Sequence, residues 1–279
     1  MEILFTGIVI FILAAIFYSI TRKSGALKNK QQLGLSYIGT IKNIIVLVQQ
    51  HRGLNAAWLN GDKKIETKLM MLKQHISILG KELKTTELAK DERWIGFNDH
   101  WQRLLQLNNQ ITPANSFEQH TKMVRNLAYF LEDTAEKYCL TSDFLMELPN
   151  IGFVWRELVQ ATENIGQSRA LGSGITAKKV CSSVEKIRLN FLTQNMTSVT
   201  TNILKQLSCL ENSLHSHNEL VKKATQKMQQ LIDTINHELV NAEKITLDNA
   251  EYFELASDTM NALNNIFDDQ LKQIAKIIE

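Results

Sequence analysis

Residues 3–21, ILFTGIVIFILAAIFYSIT, carry no charge between Glu2 and Arg22, and no other stretch constrains the chain as much. A helix of that length, rising about 1.5 Å per residue, spans roughly 28 Å, close to the ~30 Å hydrocarbon layer of a bilayer. A secretory leader would open on basic residues and close on small ones at a cleavage site. Here the segment opens on Met1-Glu2, and its basic cluster, Arg22, Lys23, Lys28 and Lys30, comes after it. Positive flanks stay on the cytoplasmic side. The sequence therefore predicts a single-pass anchor over residues 1–21 in the inner (cytoplasmic) membrane and a basic juxtamembrane linker over 22–30. A helical domain over 31–279 is expected to face the cytoplasm. A buried core helix is the competing assignment for residues 3–21, but it needs amphipathic flanking partners that the sequence does not offer.

Past the linker the chain reads as helix after helix. The whole chain has two prolines, Pro113 and Pro149, and its domain is rich in Leu, Gln, Lys, Glu and Asn, a mixture that favours helices over strands. Helical patterns run from about Leu27 to Asn60, then over IETKLMMLKQHISILGKELKTTEL, and over ERWIGFNDHWQRLLQLNNQI, which Pro113 is expected to halt. A capping box from Ser116 to Gln119 is expected to open the fourth. The fifth, IGFVWRELVQATENIGQSRA, is expected to stop at Gly172 and Gly174. Three more follow, over about 177–213, 217–242 and 247–278. The expected fold is all-α: one N-terminal transmembrane helix, then about eight helices in two four-helix bundles or one extended bundle.

Helical spacing then raises a question of charge. Ile41, Ile45, Val48, Arg52, Ala56 and Leu59 fall at the three-and-four spacing of one apolar face, and Arg52 lies inside that stripe. The fifth helix repeats the arrangement with Ile151, Val154, Leu158, Ala161, Ile165, Arg169 and Gly172. A buried guanidinium without an anion is costly, so each arginine calls for a partner. One answer is a carboxylate of the chain itself, such as Glu118, Glu163 or Asp248; another is that the arginines reach solvent along their stems. A third is a shared small oxyanion, which planar forked donors hold bidentately. Gly53, placed in a helix interior, costs about 1 kcal/mol against alanine, which is easier to understand if something approaches the backbone there.

The stretch VQQHRGLNAAWLNG resembles the first motif of the nitrate- and nitrite-sensing (NIT) domain family, an arginine-glycine pair that follows a glutamine in the first long helix. LPNIGFVWRELVQATENIGQSRALGSG is similar to its second motif, where a leucine-proline break leads into a helix ending glycine-x-x-arginine-alanine. The resemblance covers residues from about Gln31 to the C-terminus. It implies two helical bundles with the anion held between them by arginines, and Arg52 and Arg169 map onto two of these. It departs where some members carry an adjacent second arginine: here stands His51, cationic only part of the time near neutral pH. The family's basic residue from a C-terminal helix has no arginine counterpart here after Arg188, which leaves Arg188 itself or Lys222, Lys223 and Lys227. Candidate ligand-binding residues are thus Arg52, Arg169, His51, Gly53 and Arg188.

Other chemistry is weakly represented. Three widely spaced cysteines, Cys139, Cys181 and Cys209, suggest neither a disulfide framework nor a metal knuckle. His215 and His217 read as solvated, and Trp58, Trp94, Trp101 and Trp155 as core or interface aromatics. There is no Walker loop or nucleophile elbow, so no enzyme, cofactor or metal is expected. A net charge of +2 gives no reason to expect nucleic acid. The sequence ends at QIAKIIE with no output module in view, so the expected signal passes in trans, to an unidentified partner or through assembly such as a homodimer. Two functions compete: a membrane-anchored sensor module for nitrate or nitrite, and a membrane-anchored helical scaffold whose arginines form structural ion pairs.

Overall fold

The computed structural model describes residues 2–107 and 110–279, with side chains from residue 22 onward. All regular secondary structure among the described residues is helical, with no strand among them. Eight main helices follow in order: α1 (Glu2–Leu59), α2 (Glu66–Lys84), α3 (Glu92–Leu107), α4 (Pro113–Lys137), α5 (Val159–Lys178), α6 (Ser183–Ser198), α7 (Leu214–Thr234) and α8 (Asn249–Ile278). Wider π-helical turns lead into α5 over Val154–Leu158 and extend α6 over Val199–Ile203 and α7 over Ile235–Val240. α1 packs against α2 and α4, and α3 against α4; α5 packs against α6 and α8, and α7 against α8. Contacts of α1 with α5 and α8 join the two sets, and one continuous hydrophobic core runs through both.

Local chemistry explains where the helices begin. Pro113 does not halt α3, which ends at Leu107; it occupies the first turn of α4, where its missing N–H costs nothing. Thr112 is the cap, its hydroxyl accepting from the Asn115 N–H at 3.2 Å, so the capping box expected at Ser116 is absent. A reciprocal box forms instead at Ser182 and Glu185, at the start of α6. Asp248 caps α8 by accepting from the backbone N–H groups of Ala250 and Glu251. Gly172 and Gly174 do not end α5, which runs on to Lys178 and stops where Lys179 turns left-handed at φ 58°.

Residues 22–30, expected as a linker, continue α1 without a break. Among the described residues no helix is long and apolar enough to cross a membrane; the side chains of the proposed anchor, residues 3–21, lie outside them. α1 buries Ile38, Ile41, Ile45 and Val48 at the expected spacing, with Arg52 next along the same face. α5 is different. From Val159 to Arg169 all but Gln160 and Gln167 are buried, because α1, α4, α6 and α8 surround it.

Candidate functional site

Arg52 is 1% exposed, and its guanidinium meets the carboxylate of Glu163 on α5 fork to fork. Nη1 lies 2.5 Å from Oε1 and Nη2 3.2 Å from Oε2. Nη1 also donates to the Thr121 hydroxyl at 3.0 Å, and the Phe117 ring covers the guanidinium with its centre 5.1 Å from the central carbon. Two amides add to the shell: Gln49 donates to Glu163 Oε2 at 3.0 Å and Gln167 to Oε1 at 2.8 Å, while Arg52 Nε and Gln49 Oε1 are buried without a partner among the described residues. Gln49 precedes Arg52 by about one turn and Gln167 follows Glu163 by about one turn, so each amide shares a face with the charge it supports. The carboxylate thus accepts four hydrogen bonds, which is what allows two charges to be buried together. Room for this comes from Gly166: a Cβ there would stand 2.8 Å from Arg52 Nη2. At Gly53 an added Cβ would meet nothing within 4 Å, so the close approach expected there falls at Gly166 instead.

Arg169 is 8% exposed and is set differently. Its Nη1 donates to Ser257 Oγ at 3.0 Å, and its guanidinium lies over the Phe253 ring, 4.9 Å from the centre. Among the described residues no carboxylate pairs with it. Burial, and next the nearby charge of Arg52, lower its pKa to about 10, which still leaves it cationic at neutral pH. The charged side chains buried among the described residues are Arg52, Glu163 and Arg169, so two cations face one anion and one positive charge is left over. Beside it, Gly172 admits the buried Tyr252 ring, whose nearest atoms would lie 2.2–2.4 Å from an added Cβ; Tyr252 donates to the Ser168 carbonyl at 2.8 Å.

The other candidate residues are dispersed. His51 turns away from Glu163 toward α4, its Nδ1 2.7 Å from His120 Nε2 and its ring edge-on to Trp101. Burial, then His120, then Lys73 hold its pKa well below the ordinary histidine value, so it is neutral near pH 7 and not a part-time cation. Arg188 is exposed on α6. It lines an open cleft of about 930 Å³ together with Phe117, Thr121, Gln167, Leu171 and Phe191. Thr121 and Gln167 touch the ion pair from within and the cleft from without, so they form the wall between Arg52–Glu163 and solvent. Around Arg188, Val184 and Phe191 are exposed, while α6 buries Leu189, Leu192 and Met196.

Of the three carboxylates considered as partners for Arg52, Glu118 pairs on the surface with Lys122 and Asp248 caps α8, which leaves Glu163. Sequence reasoning missed Gln49, Thr121, Gly166 and Gln167. The i, i+4 relation of Glu163 and Gln167 was the signal available for one of them. His217 is buried, with Nδ1 3.5 Å from Asp269 Oδ2, against the expectation of solvent; His215 is exposed. The three cysteines are free and half-buried. No family model, no curated protein and no solved structure matches the chain. The resemblance to the NIT family accordingly rests on its two motifs.

Proposed function

We propose that the chain is a membrane-anchored helical sensor module that binds a small oxyanion, nitrate or nitrite, beside Arg169 and signals in trans. In this reading residues 3–21 are the anchor, the domain faces the cytoplasm, and α1–α4 and α5–α8 are two four-helix bundles with the anion between them. The observation that carries it is the surplus buried charge. Glu163 is already committed to Arg52 on both oxygens, and Arg169 is buried as a cation without a carboxylate of its own. An exogenous anion would neutralise that charge, and a planar one suits a guanidinium fork. The reading assigns no catalytic role and uses no metal.

The Arg52–Glu163 pair favours a second reading, a helical scaffold that binds only protein partners, because it gives one of the two motif arginines a purely structural task. Calorimetric titration of the full chain in detergent with nitrate, nitrite and small carboxylates separates the two. Saturable heat that Arg169→Gln abolishes supports the sensor. Indifference to every anion leaves the scaffold.

A further inference from the structure

A second polar site adjoins the first, where His51 of α1 meets His120 of α4. His120 Nδ1 is 2.6 Å from the Ser116 carbonyl oxygen, which can only accept, so His120 carries its proton on Nδ1. Burial lowers the His120 pKa to about 4, so the ring is neutral and its Nε2 is a lone pair. His51 Nδ1, 2.7 Å away, must then donate to it. The chain of tautomers ends at His51 Nε2, a bare acceptor. That atom is buried and has no partner among the described residues, and the same holds for the Trp58 indole Nε1–H, a bare donor.

Both residues line one small cavity of about 60 Å³ between α1, α2 and α3, together with Asn55, Glu66, Lys73 and Leu104. His51 is 2% exposed. Each orphaned group is costly if nothing bonds to it, and a donor and an acceptor left over in the same cavity are met by one molecule that offers the reverse pair. The lining holds one acid, Glu66, and one cation, Lys73; Lys73, and not Glu66, is among the groups that depress His51, so an anion is favoured over a neutral molecule on the His51 side. The volume limits the ligand to a few heavy atoms.

We propose that this cavity is a binding site for a small oxyanion that carries a proton, of the bicarbonate class. Its hydroxyl donates to His51 Nε2 and its remaining oxygens accept from Trp58 Nε1–H and Lys73. Nitrate has no hydrogen to donate and would set its lone pairs against that of His51, so the site discriminates by protonation. This site does not involve Arg169, and it stands or falls separately from the oxyanion reading above.

The indole N–H resonance of Trp58 reports directly. In full chain labelled with ¹⁵N-tryptophan, Trp58→Phe identifies the signal among the four tryptophans. Titration with sodium bicarbonate at fixed pH and ionic strength is expected to shift it saturably, while sodium nitrate leaves it in place. By calorimetry Trp58→Phe, which removes the donor along with part of the ring, should weaken bicarbonate binding at least about tenfold, the worth of one hydrogen bond to a charged group. An unmoved Trp58 resonance in bicarbonate, meaning that ordered water alone satisfies the two groups, overturns the proposal, as does an equal response to nitrate.

Discussion

Arg52 and Arg169 occupy matching positions in two similar motifs, each in a helical stripe of apolar residues and each within a few residues of glycine. Their surroundings are opposite. Arg52 is paired with a carboxylate that two amides support, and it also meets a hydroxyl, whereas Arg169 has one serine hydroxyl and an aromatic face. A buried cation with a dedicated carboxylate is a structural commitment, since removing either partner strands the other. One with only a hydroxyl has a charge still to be met. The same residue type in the same kind of sequence thus divides into a part that holds the fold and a part available to a ligand.

The difference predicts unequal effects of substitution. Arg52→Met strands the Glu163 carboxylate among buried groups and should lower stability by about 3–5 kcal/mol in chemical denaturation. The double variant Arg52→Met, Glu163→Leu should recover most of that loss, because it removes both charges. If the double variant is no better than the single one, packing and not charge explains the site. A smaller effect comes from pH. His51 and His120 are buried neutral, with folded pKa values below the unfolded one; for His120, held at about 4, the unfolded chain binds more protons between about pH 6.5 and pH 4, and His51 acts in the same direction. Stability should therefore fall as pH drops through that window, by up to about 1.4 kcal/mol per unit for each histidine. Denaturation midpoints flat across the range would contradict the buried neutral pair.

Glycine substitutions sharpen the same contrast. Gly172→Ala places a Cβ against the buried Tyr252 ring beside Arg169 and should cost about 1–3 kcal/mol as overpacking. Gly53→Ala, next to Arg52 but with open space at its Cβ, should instead stabilise α1 by up to about 1 kcal/mol. Comparing the two melting curves tests whether close approach, rather than helix propensity, fixes each glycine.

The helical class and the buried face of α1 were legible because α1 is amphipathic where it meets the core, and three-and-four spacing reads such a face directly. The face of α5 was not. It is enclosed on nearly every side, so apolar periodicity carries no direction there, and Glu163 could be named only as one of three carboxylates. Arg52 and Arg169 could be identified as out of place, but their partners come from α4, α5 and α8, through contacts far apart in sequence. His51 failed for a related reason: its charge depends on His120, 69 residues away, and on burial, neither of which the motif contains. The glycines misled because Gly53 and Gly166 look alike in sequence, while only the second has a neighbour against it.

The most direct test of the central claim, that Arg169 is a buried cation still needing an anion, is the denaturant stability of the full chain with and without nitrate, in the natural protein and in Arg169→Gln. A ligand that binds only the folded state stabilises it by about 2.7 kcal/mol at a hundred times its dissociation constant. The account predicts a saturable gain of that kind with nitrate or nitrite, but not with an ion-matched chloride control. It also predicts an Arg169→Gln variant within about 1 kcal/mol of the anion-free protein, because no carboxylate is stranded, with the nitrate gain abolished. A natural protein indifferent to both oxyanions, or a variant that keeps the full gain, would contradict it.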